Sequence, residues 1–161
     1  MSTWSAVLTA APELAKKVQA RFDAHGLAML ATLRADGYPR LCPVEALFTD
    51  ETIWLGMMPD SRKALDLVRD PRLSMHNATE DRNVSEGDAK LVGRAVEVTD
   101  EAEVDRARGI FAAHTGHPPP EGPMHLFTVD VREISFLKPA GDHLDIESWR
   151  EGGEPRLIER R

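Results

Sequence analysis

From Pro12 onward, Leu14, Ala15, Val18 and Phe22 recur at helical spacing, and Gly26 closes the run. Pro12 suits the first turn of that helix, where its missing N–H would have no partner anyway. The period then changes. Leu27–Arg34 is an apolar run of strand length, Asp36-Gly37 is a tight-turn pair, and Arg40–Phe48 predicts a second strand. Pro43 interrupts it. Proline cannot donate to a ladder, so the position calls for a bulge, an edge or a gap facing a ligand. Ile53–Met57 follows as a third strand. Met58-Pro59-Asp60 then turns into a helix capped by Asp60 or Ser61, with Ala64, Leu65 and Val68 as its apolar face. Asp70-Pro71 ends it.

Arg72–Ala78 and Asp88–Thr99 read as a fourth and a fifth strand, with Gly93 marking a bulge in the fifth. Asp100 and Glu103 have capping-box spacing before a helix over Glu101–His114, whose inward residues are Val104, Ala107, Ile110 and Phe111. Pro118-Pro119-Pro120 and Gly122-Pro123 form a stiff loop. Met124–Lys138 is a long strand pair or one bent strand, and a tail holds Trp149, Gly152, Gly153 and Arg156–Arg160. The pattern amounts to about six strands and three helices, a mainly β chain with its helices at the periphery. Tight turns between the early strands make them antiparallel, which excludes a doubly wound parallel sheet. One domain over residues 1–161, built on a six-stranded antiparallel barrel, is the expected closure.

Charge and composition narrow the partners. A net charge of −7 argues against non-specific binding to nucleic acid or to an anionic membrane. No apolar run approaches the length of a membrane span. No basic segment precedes the short apolar stretch at the N-terminus, so no signal peptide is expected. The single cysteine, Cys42, cannot form an internal disulfide, which fits the cytoplasm, and it reads as a small buried hydrophobe. His114-x-x-His117 could offer two metal ligands, but Pro118 follows and no further ligand is paired with them, so no metal is expected. Phosphate-loop, nucleophile-elbow and dinucleotide-binding glycine motifs are all missing.

One stretch carries chemistry. Ser61-Arg62-Lys63 opens a helix, and a helix N-terminus presents unpaired N–H groups and the positive end of the dipole to an anion. Arg62 and Lys63 add two charges that oppose the dipole by roughly 0.3–1 kcal/mol each unless an anion lies between them. A phosphate cradle and an ordinary solvated basic pair are both open on these residues. In the tail, Arg156 and Arg160 would share one side of an extended segment, and Trp149 is either core or ligand-facing.

Taken together, several segments resemble the pyridoxamine 5'-phosphate oxidase family. They are Ala31-Thr32-Leu33 with Asp36-Gly37 and Pro39, then Ser61-Arg62-Lys63-Ala64 with Asp70-Pro71-Arg72-Leu73-Ser74. The tail Trp149, Gly152-Gly153, Arg156-Leu157 and Arg160 is similar to that family's closing W-x-G-G-x-x-R-L-x-x-R, with one residue inserted. The resemblance implies a split β-barrel homodimer with FMN in a groove between subunits. Ser61, Arg62 and Lys63 would hold its phosphate, Trp149 and Arg160 would lie by the flavin, and Asp88 would stand where the family has a flavin-contacting glutamine. The substrate half departs from the pattern. Cys42 and Leu47 replace a basic pair, Ile158 replaces a histidine, and of the substrate-side donors Arg156 remains. The chain also stops at Arg161, before the extra strand of the true oxidases. The expectation is an FMN-dependent oxidoreductase acting on a small organic molecule, with no catalytic side chain assigned and no oxidation of pyridoxamine 5'-phosphate. A reductase using the deazaflavin coenzyme F-420, or a non-catalytic flavin or haem binder, is the alternative.

Overall fold

In the computed structural model, which describes Met1–Arg161, the chain runs α1 (Trp4–Ala10), α2 (Pro12–Asp23), β1 (Leu27–Leu33), β2 (Pro39–Phe48), β3 (Ile53–Met57) and α3 (Arg62–Arg69). It continues through β4 (Arg72–Asn77), β5 (Asp88–Glu97), α4 (Glu101–Thr115), β6 (His125–Ala140), β7 (His143–Arg150) and β8 (Arg156–Arg160). The strands are hydrogen-bonded in the order β3-β2-β1-β4-β5-β6-β7-β8, and β3 also pairs with β6. That last pairing, Trp54↔Thr128 to Met57↔His125, closes six antiparallel strands into the expected barrel. β7 and β8 extend the sheet beyond it.

Closure depends on β6, which has 16 residues and pairs with β3, β5 and β7. Its inward residues change parity part-way: Phe127, Val129 and Val131 are buried, then Ile134 and Phe136. The cause is a bulge opposite Gly93, whose extra residue lies in β6 and not, as expected, in β5. Val92 pairs with Glu133 and Gly93 with Val131, so Arg132 is the extra residue and the faces swap beyond it. Gly93 is required there because a Cβ would lie 2.6 Å from the Asp130 carbonyl oxygen and 2.9 Å from Val129 Cγ1. The N-terminus is tied down beside the bulge. Val131 N–H donates to the Ser2 carbonyl at 2.8 Å, and the Ser2 amide donates to the buried Asp130 carboxylate at 2.7 Å.

The main core contains 28 residues and joins the barrel interior to the inner faces of α1, α2 and α3. Phe48 anchors one end, with its ring centroid 4.9 Å from Trp4 and 5.1 Å from Phe22. A second cluster, Leu47, Trp54, Ala107, Phe111 and Leu126, lies under α4 on the outside of the barrel. Asp100 caps α4 as expected, its carboxylate accepting the Glu103 N–H at 3.0 Å.

Three elements go beyond the sequence expectation. α1 has seven residues, too few for a helical period to show, and Trp4 and Val7 hold it in place by packing. In the tail, β7 and β8 form a hairpin in which β7 is half-buried from His143 to Ser148 and buried only at Trp149, while β8 is exposed along its whole length. It therefore has no apolar alternation to read. One reading is corrected: on α3 the residues turned inward are Ala64, Asp66 and Leu67, whereas Leu65 and Val68 are exposed.

Gly93→Ala is expected to lower unfolding stability by about 2–4 kcal/mol, because backbone, not a flexible side chain, occupies the Cβ position. Urea denaturation measures it. A loss below about 0.5 kcal/mol, the range of a neutral surface change, would show that the bulge relaxes freely.

Candidate functional site

The site is organised by an edge. β3 is five residues long and pairs with β2 only at Ala46–Phe48, so the earlier half of β2 is covered on one side by β1 alone. N–H and C=O of one residue point to the same side of a strand. Pro43 turns that side to the uncovered edge, where its carbonyl accepts Lys63 Nζ at 2.7 Å. No ladder partner needs the N–H that proline lacks, and of the three sequence readings the edge is the one realised. Cys42 is half-buried here rather than buried.

The α3 N-terminus meets this edge. Ser61 is its N-cap residue, with φ −61° and ψ 140°, yet no side chain caps the first turn. Neither expected cap functions as one: Asp60 sits in the left-handed region with φ 55°, and the Ser61 hydroxyl is buried without a hydrogen-bond partner. The Ser61 carbonyl accepts the Leu65 N–H at 3.0 Å, which leaves the three amides before it with no acceptor in the helix. Arg62 is exposed, and Lys63 is half-buried against Pro43. The turn thus gathers a free hydroxyl, free amides and two cations, a donor set suited to a phosphate.

A buried carboxylate holds this turn in position. Asp66 accepts Thr32 Oγ1 at 2.9 Å, Arg40 Nε at 2.6 Å and Arg69 Nη2 at 3.2 Å. Arg69 also donates to the Leu33 carbonyl. One helical residue is thereby tied to both strands of the β1–β2 hairpin. Burial pushes the Asp66 carboxyl up, but the hydrogen bonds from Arg40, Thr32 and Arg69 outweigh it and hold it below the ordinary value. Sequence reading missed Asp66. The available signal was a carboxylate between Ala64 and Leu67 in an otherwise apolar inward stripe.

Beside the turn lies a cleft of about 520 Å³, within the usual range for small-molecule sites. Its lining includes Gly56–Pro59 at the end of β3, Phe111 on α4, and the loop before Met124. The lining reaches Pro59, two residues before Ser61. Sequence reading missed this cleft too, because α4 and the proline loop, more than fifty residues further along the chain, pack against β3 through tertiary contacts that no local pattern shows.

The other expected site residues are scattered. Asp88 accepts Thr79 Oγ1 at 3.1 Å and Asn77 Nδ2 at 3.3 Å, at the start of β5. Leu47 and Trp149 are each 3% exposed, in the second cluster and the main core respectively, and present no surface to a ligand; the Trp149 indole N–H has no acceptor. Arg156, Ile158 and Arg160 share one exposed face of β8, which pairs only with β7 and contributes nothing to the cleft. His117 lines the cleft, while His114 does not. Three potential metal-binding atoms converge instead on His143, Asp145 and Glu159 of the β7–β8 hairpin. The hydrogen bond to Asp142, assisted by Glu159 and Asp145, raises the His143 pKa.

The sequence model of the pyridoxamine 5'-phosphate oxidase family matches residues 14–138. Among solved structures, PhzG from Burkholderia lata 383, in complex with tetrahydrophenazine-1-carboxylic acid, has a TM-score of 0.68 at 17% identity, covering 93% of this chain and 91% of that one. A pyridoxamine 5'-phosphate oxidase-related, FMN binding protein from Nostoc punctiforme PCC 73102 has a TM-score of 0.65 at 13% identity, covering 94% and 96%. A heme binding protein from Mycobacterium smegmatis has a TM-score of 0.62 at 19% identity, covering 83% and 57%. At these identities the likeness is one of fold. A search of curated proteins finds no match.

Asp66→Ala is expected to destabilise the chain by about 2–4 kcal/mol at neutral pH, since it strands two arginines and a buried hydroxyl. A carboxyl depressed by folding contributes stability above its unfolded pKa, and that contribution is lost as pH falls through the folded value. The parent chain should therefore lose more stability than the variant as pH drops below about 4. Denaturant titrations across that range give the comparison; parallel profiles would contradict it.

Proposed function

The chain belongs to the pyridoxamine 5'-phosphate oxidase family, and from that premise we propose that it binds FMN and acts as a cytoplasmic flavin-dependent oxidoreductase. The observation carrying this reading is the uncapped first turn of α3, where the buried Ser61 hydroxyl has no partner in the chain. An unpaired buried polar group costs about 1–3 kcal/mol. A bound phosphate relieves that cost and also the opposition between Arg62, Lys63 and the helix dipole.

FMN, when bound, supplies the redox chemistry. The chain's own part is binding and orientation. Ser61 Oγ and the first-turn amides donate to phosphate oxygens, and Arg62 supplies charge from the exposed side. Lys63 spends one of its three donors on Pro43 and keeps two for the ligand. Asp66 keeps the turn against β1 and β2. The cleft that reaches Pro59 adjoins this turn and is left open to a second molecule.

We further propose that two copies of the chain complete the groove. Tyr38, Leu41, Leu65 and Val68 expose apolar surface on β2 and α3 and their approaches, and β8 exposes Arg156, Ile158 and Arg160 on an arm. A second copy would cover the first set and bring its arm to the cofactor. Light scattering should give a dimer at micromolar concentration, and a monomer there would contradict it.

Pyridoxamine 5'-phosphate is not the substrate in this account. Leu47 is buried and Ile158 is apolar, so neither replaces the donors that a second phosphate requires. The FMN-loaded protein is expected to form no pyridoxal 5'-phosphate at an enzymatic rate of about 1 per second or more.

Isothermal titration with FMN and riboflavin tests the cofactor site. Ser61→Ala should leave the apo chain as stable as the parent, or more so, while weakening FMN binding. Lys63→Ala should weaken it by about tenfold to a hundredfold, the equivalent of one lost hydrogen bond to a charged group. Riboflavin, which has no phosphate, should bind the parent and Lys63→Ala equally. Unchanged FMN affinity in both variants would sink the reading.

A further inference from the structure

The cleft has a chemical bias that the phosphate turn does not share. No lysine or arginine lines it, whereas Glu45 from β2 and Glu121 from the proline loop both do. Glu45 and Glu121 are exposed and form no ion pair within the chain. Apart from Thr115 and His117, the rest of the wall is apolar and soft, with Met57, Met58, Met124, Phe111 and prolines. Thioether and aromatic faces favour a flat ring, and two free carboxylates at its rim favour a positive charge.

The floor of the cleft is Gly56. It lies within β3 and pairs with Leu126 of β6, while the β2 ladder ends one residue earlier, at Leu55. Glycine weakens a strand interior and marks a place of close approach. Here a Cβ would come within 3.1 Å of Met124 Cε and 3.5 Å of Phe111 Cζ. A side chain at this position would enter the space between β3, α4 and the loop. Glycine keeps that space open, and the second apolar cluster beneath supports its walls.

We propose that this cleft is the substrate site and that it selects a flat aromatic or heteroaromatic molecule bearing a protonated amine, held by Glu45 and Glu121, against carboxylated or phosphorylated analogues. The proposal rests on the flavin reading, in that the cleft adjoins the turn assigned to the cofactor phosphate. The site is polarised: its anion-binding end is at Ser61-Arg62-Lys63, and its cation-binding end is at the two glutamates. A dianionic substrate meets two like charges at the mouth and no lysine or arginine, only the His117 imidazole and a Thr115 hydroxyl that already donates to the Phe111 and His117 carbonyls. A neutral ring gains the apolar contacts only. An aromatic amine gains both.

Ligand-observed NMR titration tests this with three probes of similar shape: benzylamine, benzyl alcohol and phenylacetate. Each is titrated into the full chain, without flavin and loaded with FMN. Benzylamine is expected to bind about tenfold more tightly than phenylacetate, with benzyl alcohol between them, as two carboxylates near a half-solvated charge provide. In the double variant Glu45→Gln, Glu121→Gln the three affinities should converge to within about threefold, while FMN affinity stays unchanged. Gly56→Val should weaken all three probes together. Phenylacetate binding as tightly as benzylamine would overturn the proposal. So would an amine preference that survives the double variant, or benzylamine affinity unaffected by Gly56→Val. Loss of benzylamine binding on FMN loading would also overturn it, since the cleft would then belong to the flavin alone. If FMN fails to bind, the cofactor reading falls, and the titrations without flavin still decide the charge preference. If Gly56→Val does not fold, the glutamate variant alone decides it.

Discussion

The functional surface depends on the shortness of β3. Its five residues suffice to close the barrel against β6 but leave the first half of β2 without a neighbour on one side. An uncovered edge is normally a liability, managed by proline, by charge or by a covering element. This chain uses all three in one place: Pro43 within the edge, Glu45 at its end, and α3 with Lys63 laid across it. The element that covers the edge is also the one whose N-terminus is left uncapped. Protection of a strand edge and presentation of an anion site are achieved by the same turn.

Position there has to be imposed, because α3 has eight residues and little stability of its own. Asp66 imposes it. A carboxylate with three donors from β1, β2 and its own helix sets both the rotation and the height of α3 on the barrel. Rotation is the more consequential, since it turns Leu65 and Val68 outward and brings the first turn to the β2 edge. Ser61 bears the cost: its hydroxyl is buried with nothing to bond, at a place where most helices cap themselves. Arg21 Nε and Trp149 Nε1 are also buried without a partner, but of the three only the Ser61 hydroxyl lies beside free helix amides and two cations.

Periodicity made most of the barrel legible. β1, β3, β4 and α2 lie within a residue or two of where their patterns put them, and the Gly93 bulge was readable because glycine has few other reasons to interrupt a strand. The β7–β8 hairpin was not readable, because β7 is evenly half-buried and β8 evenly exposed, so neither strand carries an alternation. The outward turn of Leu65 and Val68 was not readable either, since helical spacing alone cannot say that a carboxylate, rather than two aliphatic side chains, faces inward. At the site, Ser61-Arg62-Lys63 was visible as an anion signal from local chemistry. The cleft was not, for its walls come from β3, α4 and a loop more than fifty residues apart in sequence, joined by the long-range pairing of β3 with β6 and the packing of α4 on β3. Trp149 was open between core and ligand-facing on its residues alone, and its side chain packs into the main core.

The function proposed for this chain rests on a flavin phosphate in the first turn of α3. The most direct measurement is the absorbance spectrum of the chain purified from its own cells, together with the mass of whatever small molecule it releases on denaturation. The account predicts a flavin spectrum and the mass of FMN, at about one molecule per chain. A haem spectrum, or the mass of a deazaflavin, would contradict it.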